Sequence, residues 1–374
     1  MSTLPATKIW ISGLHDSVGQ FMENLHVPGQ PGRYLPCLSG STEAGKNAGL
    51  GFSCFALKIY YTLGLWDKMP ETQKSDWLDF IRSYQILDPA SDDHSSFADF
   101  HLIAGIAPPP KLGIRVGFKN WAKGVVKRDW ASESVKAETK QAIATLAQVG
   151  ATPTQPFYQF PKNRYALLNR LKTYKWQLPW LAGGQTAGMS VFIHSQGPLI
   201  KGVDVNMLIR ETSQFLDKMA DPVSGAYFRG KPPMHGQLVN GAMKVLNALD
   251  WLDAPIHYPE KLIDTCLLQG PPSDGCHVVD WVYVVHRCLL QTQHRKAEIQ
   301  KQCIEIVQMI KKHQSHDMGF SYKQGKAQTN YYGAKITNGL DEGDIHGTCL
   351  LLWAISMVVD ILEIDEPGWN IIRP

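Results

Sequence analysis

The 374-residue sequence has almost no excess of charge and no long uncharged apolar run. Its 37 Lys and Arg residues against 34 Asp and Glu residues give a net charge of +3, which is too balanced to make nucleic acid the expected partner. No stretch approaches about 18 apolar residues without a charge, so we expect no transmembrane helix. The first residues also lack the charged start and apolar core of a signal peptide, and we therefore expect a cytoplasmic protein.

Strand and disulfide signals are weak as well. Strict alternation of apolar and polar residues is rarely sustained, whereas helical periodicity is frequent. The cysteines are odd in number and scattered, mostly inside apolar helical patterns, which is typical of reduced, buried thiols. The seven are Cys37, Cys54, Cys266, Cys276, Cys288, Cys303 and Cys349. With 44% hydrophobic residues, the chain has ample material for a core, which excludes a disordered chain.

The helical stretches are of two kinds. Residues 296–312 are amphipathic: their apolar residues recur at helical spacing, and the other positions are mostly Lys, Gln and Glu. Residues 51–66, 276–290 and 346–362 are instead apolar almost all round. A helix without a polar face is buried on every side rather than against one neighbour.

The two kinds alternate along the chain, from 258–268 through 276–290 and 296–312 to 346–362. A double ring explains this alternation, because inner helices are then sheathed by outer ones. We therefore predict an all-α fold, an α/α toroid that spans residues 1–374 as a single domain. A plain helical bundle is the competing arrangement, but it does not predict the alternation.

Internal repeats support the ring. A Gly-containing loop followed by a His, Cys or Asp stands before three of the apolar helices, in residues 225–249, 269–290 and 318–355. Residues 41–61 and 179–193 resemble worn copies of this unit. Each repeat brings polar residues to the N-terminus of an inner helix, and therefore to the same rim of the ring. We expect the functional site at this rim.

A Pro-rich basic stretch at about 105–130 breaks the pattern. Three consecutive prolines exclude helix there, and six Lys and Arg residues lie between 111 and 128. We interpret the stretch as an insertion or a long surface connection. A clamp for an anionic substrate is the alternative.

A candidate metal site begins at Asp274 and Cys276, where an apolar helix starts. A thiol at a helix N-terminus has a lowered pKa because the macrodipole favours the thiolate, which is the form that binds Zn²⁺. His346, at the equivalent point of the last repeat, is the candidate third ligand. Water or substrate in the fourth position would complete an open catalytic zinc site. The acidic neighbours that can orient the imidazole are Asp341, Glu342 and Asp344.

These motifs resemble a known family. The strings DGCHVVDW (274–281) and DIHGTCLLLWAIS (344–356) look like those of protein prenyltransferase β subunits, farnesyltransferase above all, which are α/α toroids of the terpenoid cyclase superfamily. The resemblance, over about residues 221–362, implies that Asp274, Cys276 and His346 bind catalytic zinc. It also implies that His235, in GKPPMHGQ, contacts an isoprenoid diphosphate, and that Lys326, in MGFSYKQGKAQ, belongs to a substrate-binding loop. Prenyltransferases of this kind have a second subunit, so one is conceivable here, although this chain alone does not imply it.

Other site candidates rest on the residues themselves. Asp280 lies inside an otherwise apolar helix, where a lone carboxylate is costly unless it is paired or protonated. It is either a general acid or base, or half of a buried pair with His277 or His286. Asp344 and His346 are further candidates for catalysis. The remaining candidates for substrate contact are His277, Trp281 and Tyr332.

Structural roles compete with several of these assignments. Asp274 can simply cap the next helix, and Cys276 can be an inert core thiol. His235 can hydrogen-bond within its loop, and Trp281 and Tyr332 are aromatic residues of a type that is more often core than substrate platform.

Three functions follow. The first is an enzyme with an apolar central cavity that acts on an isoprenoid, as a transferase or cyclase, with zinc as its candidate cofactor or with none. The second is a carbohydrate-active toroid enzyme, a hydrolase, lyase or epimerase, that uses Asp, Glu and His for acid–base chemistry on a sugar. The third is a non-catalytic binding scaffold. We expect the first, because three ordered motifs support it.

Overall fold

The computed structural model describes residues 4–106, 129–272 and 275–374, apart from the side chains of Gly275 and Cys276. In chain order the helices are α1 (Leu4–Ser12), α2 (Leu14–Leu25), α3 (Glu43–Asn47), α4 (Leu50–Thr62), α5 (Leu65–Lys68), α6 (Glu71–Arg82), α7 (Phe100–Ala104), α8 (Trp130–Gln148), α9 (Arg164–Thr173), α10 (Pro179–Gln196), α11 (Val205–Asp217), α12 (His235–Trp251), α13 (Pro259–Gln269), α14 (Gly275–Leu289), α15 (Lys296–Lys311) and α16 (Ile345–Ile361). A 3₁₀ turn, Gly197–Leu199, follows α10. Two short strands, β1 (Asn330–Tyr331) and β2 (Ala334–Lys335), pair antiparallel between α15 and α16.

Six of the described helices form a closed inner ring. Helix α4 packs against α8, α8 against α10, α10 against α12, α12 against α14, α14 against α16, and α16 packs back against α4. We call the space that this ring encloses the lumen. The remaining long helices lie outside: α6 packs on α4, α11 on α10, α13 on α12 and α14, and α15 on α14 and α16, while α9 packs on α11 and α1 packs on α2 and α15.

The sequence explains which helices lie inside. Helix α16 buries nearly every residue from Ile345 to Ile361, and α4 does the same from Leu50 to Ile59, because neither has a polar face to turn towards water. The outer helix α15 buries one stripe, which consists of Ile299, Cys303, Ile306, Val307 and Ile310. The seam between α10 and α12 is very close: a Cβ added to Gly241 would lie 2.6 Å from the Cβ of Pro179, so a glycine is needed there.

The C-terminal residues lie across the end of the ring where the inner helices finish. The backbone N–H of Asn370 donates to the Thr62 carbonyl at the end of α4, at 2.9 Å. The Arg373 N–H donates to Gln148 Oε1 at the end of α8, at 2.7 Å, and Trp251 Nε1 at the end of α12 donates to the Pro374 carbonyl at 2.9 Å. The tail therefore joins three inner helices that are not all neighbours, and it covers this end of the lumen.

The α/α toroid is confirmed, and the competing plain bundle is excluded by the closed ring. Helix α15 falls at 296–311, within one residue of the expected 296–312, while the apolar stretch 51–66 is divided at Gly64, whose φ is +62°. The basic stretch at about 105–130 lies almost wholly outside the described residues, so its interpretation stays a prediction. No helix among the described residues combines the length and apolarity needed to span a membrane.

Candidate active site

The inner helices begin at one rim, where the segment between α15 and α16 contacts three of them. Tyr331 lies against Gly51 in the first turn of α4, where an added Cβ would be 2.7 Å from its hydroxyl. Gly333 lies against Trp130, the first residue of α8: a Cβ added to Gly333 would be 2.7 Å from Trp130 Cγ. Gln328 is bonded to His346 in the first turn of α16. Polar side chains on the inner faces of these helices can therefore share one lumen, as the repeats predict.

Three lysines reach into this lumen from three different inner helices: Lys58 on α4, Lys140 on α8 and Lys244 on α12. Burial lowers the pKa of Lys140 well below its usual value, and the positive charges of Lys58 and Lys244 lower this pKa further. Because α12 is adjacent to neither α4 nor α8 in the ring, its lysine can act on these helices only across the lumen. We call these three residues the lysine cluster.

The lysine cluster has few partners. Lys58 is only 4% exposed, and its ammonium donates to Gln141 Oε1 at 3.2 Å. Lys244 lies over the ring of Trp180, with Nζ 5.7 Å from the ring centroid. Among the ion pairs formed within the described chain, none includes a member of the cluster. Unpaired cations in such a setting are energetically costly.

Asp280 on α14 is a half-buried carboxyl group near Lys244. Burial raises its pKa to about 6, while the positive charges of Lys244 and His277 act in the opposite direction. His286 is not its partner, because that imidazole pairs with Asp360 at 2.9 Å. His277 acts on the pKa of Asp280, so both alternatives for Asp280, an acid–base group and a buried pair with a histidine, stay predictions.

The charged groups on the helices around Asp280 are otherwise engaged. On α13 and α15, Asp264 and Glu298 both bind Arg295. On α12, Asp250 binds Arg287 at 3.2 Å. Lys244 is therefore the principal neighbouring charge that can set the ionisation of Asp280.

His346 is held as an uncharged imidazole at the rim. Its ring lies between those of Phe55 and Tyr322, with centroids 4.5 and 5.2 Å away, and its Nδ1 is 2.8 Å from Gln328 Oε1. Burial lowers its pKa to about 3, with further lowering by Lys58 and Lys244. When Nδ1–H donates to Gln328, Nε2 carries the lone pair.

Hydrogen-bonding groups without partners continue down the same helix faces. Within the described chain, Gln141 Nε2, Asn247 Oδ1 and Trp353 Nε1 are buried and make no hydrogen bond. Asn247 follows Lys244 by three residues and Trp353 follows His346 by seven, so each shares a helix face with a residue of the lumen. Buried polar atoms are normally paired, so these three unsatisfied atoms on inner helices are groups that a polar ligand can complete.

Helix α10 contributes open space at two glycines in addition to the side chain of Trp180. A Cβ added to Gly184 would meet no atom within 4 Å, and one added to Gly188 would meet only Lys140 Cγ, at 3.7 Å. The glycine Gly183, on the adjoining face, is different, because its added Cβ would be 2.8 Å from the Cβ of Lys244. The Gly184 and Gly188 face therefore leaves room in front of the lysine cluster.

Four residues predicted for substrate contact are engaged in other contacts or exposed. His235 Nε2 is 2.7 Å from the Thr265 carbonyl of the outer helix α13, so its hydrogen-bond partner lies outside its own loop, and contact with a substrate stays a prediction. Trp281 is 1% exposed and donates to the Cys266 carbonyl, so it is core. Lys326 is exposed on its loop. Tyr332 packs edge-on against Tyr331, with centroids 4.6 Å apart.

His277 stays at the rim. It is exposed, and its Nδ1 is 2.7 Å from Asn240 Nδ2. Because His277 acts on the charge of Asp280, its place is at the mouth of the same lumen.

Asp344 has a structural role in this geometry. Its Oδ1 caps α16 by accepting from Gly347 N at 2.7 Å, and its Oδ2 accepts from the N–H groups of Tyr322 and Gln328. Burial raises its pKa to about 6, while these donors lower it. Glu342 accepts from two backbone N–H groups of residues 39 and 40. The acidic residues expected to orient His346 therefore hold the loop, and Gln328 binds the imidazole instead.

The predicted zinc ligands are only partly within the described structure. Asp274 and the side chain of Cys276 lie outside it. The described side chains contain no group of three or more His, Cys, Asp or Glu that could hold a metal ion. Zinc at Asp274, Cys276 and His346 thus remains an untested prediction. The six described cysteines are free and buried, and burial raises the pKa of Cys54, Cys303 and Cys349 to about 12.

Comparison with known proteins identifies no family for the chain. No family model matches the sequence, and no curated protein is similar to it. Among solved structures, the chain is similar to a family 76 glycoside hydrolase from a bovine Bacteroides thetaiotaomicron strain, with 12% identity and a TM-score of 0.43. The likeness covers 93% of this chain and 78% of the hydrolase.

The expected membership of the prenyltransferase and terpenoid cyclase superfamily is therefore wrong. No family model supports it, and the solved structure that matches is a glycoside hydrolase. The expectation of a zinc-dependent isoprenoid enzyme with an apolar cavity falls with it. The lumen also differs physically from that expectation, because it holds Lys58, Lys140, Lys244 and Asp280, and because His235 faces an outer helix.

Proposed function

We propose that the chain is a carbohydrate-active enzyme that transfers protons in the lumen of the toroid, with Asp280 as its acid–base residue. The single observation that carries this proposal is the Asp280 carboxyl, which faces Lys244 and has a pKa of about 6. A carboxyl whose pKa lies near neutrality exchanges a proton readily at physiological pH. A merely structural carboxylate would be paired or capped, as Asp344 is.

The surrounding groups favour a polyhydroxylated substrate. The unpartnered Gln141 Nε2, Asn247 Oδ1 and Trp353 Nε1 offer donors and an acceptor that match sugar hydroxyls. Trp180, at the N-terminal rim beside Lys244, is 48% exposed, so its ring can stack on a sugar that enters. His346 adds an uncharged imidazole within reach of the two lysines that act on its pKa.

At pH 7, a carboxyl with a pKa of about 6 is mostly ionised. We therefore assign Asp280 the role of general base, which takes a proton from the substrate or from a water molecule. Lys244 stabilises the ionised form until the proton is transferred. The role of His346 is to hold a substrate hydroxyl by hydrogen bonding, because its low pKa leaves it uncharged.

The test is turnover of a panel of oligosaccharides. Turnover is measured as the release of new chain ends and of unsaturated sugars. Asp280→Asn keeps the size of the side chain, and we expect it to lower kcat by about 10²–10⁴-fold. Asp264→Asn is the matched control, since that carboxylate lies on the outer helix α13 and binds His294 and Arg295. Wild-type turnover by Asp280→Asn would contradict the proposal, and so would the absence of turnover on every neutral and acidic sugar tested.

A further inference from the structure

We propose that the lysine cluster is an anion-binding site that makes the lumen selective for sugars carrying a negative group, a carboxylate or a phosphate, over neutral sugars. This inference rests on the proposed function and adds the class of substrate. It is carried by Lys58, Lys140 and Lys244, which stand on three different inner helices. The Lys58 ammonium donates to Gln141, the residue after Lys140, while Lys140 and Lys244 both lie against α10, next to Gly188 and Gly183.

The first step is that nearby side chains do not neutralise the positive charge of the lysine cluster. Cys54 and Cys349 lie close enough to Lys58 to affect its pKa, but burial raises the pKa of both thiols to about 12, so they stay uncharged. Asp280 and Lys244 act on each other electrostatically, and none of the ion pairs within the described chain includes a member of the cluster. The net charge of the group is therefore positive whenever the lysines are protonated.

The second step is convergence. Lys58 and Lys244 both act on His346, and both act on Lys140. Cations that project from three walls towards a common region repel one another unless an anion lies between them. Lysine ammonium groups bind carboxylates and phosphates as point charges and need no fixed planar geometry.

The third step is space and complementarity around the cluster. The bare faces of Gly184 and Gly188 lie beside Lys140, so an occupant can approach that ammonium without displacing a side chain. The orphaned Gln141 Nε2, next to Lys58, adds a neutral donor for the same occupant. An anionic group on a sugar ring therefore meets cations and donors together, with the hydroxyls facing the remaining polar atoms.

The structure provides a matched control on the same helix. Lys136 lies one turn before Lys140 on α8 but is exposed. A substitution there removes the same charge from the chain without entering the lumen. Any effect of net charge alone is therefore shared by Lys136→Met and Lys140→Met.

The experiment is isothermal titration of the full chain with glucuronate, glucose 6-phosphate, glucose and inorganic phosphate. We expect at least one of the two anionic sugars to bind about tenfold or more tightly than glucose, and the better ligand identifies the anionic group. We expect Lys140→Met and Lys244→Met to lose about tenfold or more of that affinity, while Lys136→Met keeps it. Lys140→Gln is a second variant if Lys140→Met does not fold.

Two readouts separate this inference from the proposed function. Asp280→Asn removes a negative charge that faces Lys244, so it should bind the anionic sugar at least as tightly as the wild type even though turnover is lost. Binding should also take up protons, measured as a heat that depends on the ionisation enthalpy of the buffer, because an anion raises the lowered pKa values of Lys58 and Lys140.

Equal binding of glucose and both anionic sugars would overturn the anion site, and so would unchanged affinity in Lys140→Met and Lys244→Met. Inorganic phosphate that binds as tightly as the anionic sugars would overturn the selection of sugars. If selective binding is found but Asp280→Asn retains full turnover, the anion site stands and the role of Asp280 is wrong.

Discussion

Replacing Lys140 by methionine should make the protein more stable while it removes anion binding. The folded-state pKa of Lys140 is lowered by burial and by Lys58 and Lys244. The unfolded chain therefore binds more protons between that pKa and the usual value of 10.5, and the ammonium opposes folding at pH 7. Methionine keeps the apolar stem and removes the charge, and no hydrogen bond of the Lys140 ammonium to the described chain is lost with it.

The expected gain is that of a typical single stabilising substitution, about 0.5–2 kcal/mol. For a chain of 374 residues, an entropy of unfolding of about 2.1 cal/mol/K per residue converts this gain to a rise in Tm of about 1–3 °C. The gain should shrink as the pH rises towards the usual value of 10.5, above which the lysine is uncharged in both states. The exposed Lys136→Met should change stability by no more than about 0.5 kcal/mol.

Differential scanning calorimetry at pH 7 and pH 10 on the wild type, Lys140→Met and Lys136→Met measures these differences. A lower Tm for Lys140→Met at pH 7, with Lys136→Met unchanged, would refute the reasoning. It would show that the ammonium stabilises the folded chain, and hence that the cluster already has an internal partner.

Three further predictions concern the lumen and its rim. The rate of turnover should fall as the pH drops below about 6, where the Asp280 base becomes protonated; a pH–rate profile that keeps this limb in Asp280→Asn would contradict the assignment. Gly184→Leu should keep or raise Tm and abolish sugar binding, because the new side chain enters open space. Gly183→Leu should instead lower Tm, because its Cβ would lie 2.8 Å from that of Lys244. Calorimetry and titration measure both effects, and identical behaviour of the two variants would contradict the prediction. Asp344→Ala should lower the free energy of unfolding by at least about 2 kcal/mol, because three backbone N–H groups lose their acceptor. Urea unfolding measures this change, and a smaller loss would mean that the cap is dispensable.

The toroid could be predicted because the residue pattern of individual helices shows which of them must be buried on every side. Residues 276–290 and 346–362 have no polar face, so they must be surrounded, and only an inner ring surrounds several such helices at once. Helix α8 was not anticipated, because its sequence, from Trp130 to Gln148, is rich in Ser, Glu, Lys and Gln. Among its polar residues, Lys140 lies near the lumen whereas Lys136 is exposed, and a pattern along one helix does not distinguish the two.

The site could be predicted only in part, for a related reason. Asp280 was identified because a carboxylate in an apolar helix is costly, and the same argument applies to Lys58, the single basic residue of 51–66, which was passed over. Lys140 and Lys244 lie in helices with other polar residues and gave no such signal. Asp344 caps α16, and its role in catalysis stays a prediction, because a catalytic carboxylate and a capping carboxylate occupy the same place before a helix.

The seam between α16 and α4 has a consequence for how the chain folds. These two helices adjoin in the ring, yet almost 300 residues separate Thr62 from Ile345. A growing polypeptide must therefore emerge from the ribosome as far as α16 before the apolar surface of α4 acquires its last neighbour. Until then the incomplete ring exposes the apolar surfaces of its terminal helices to water. We therefore expect folding of this protein to depend on chaperones.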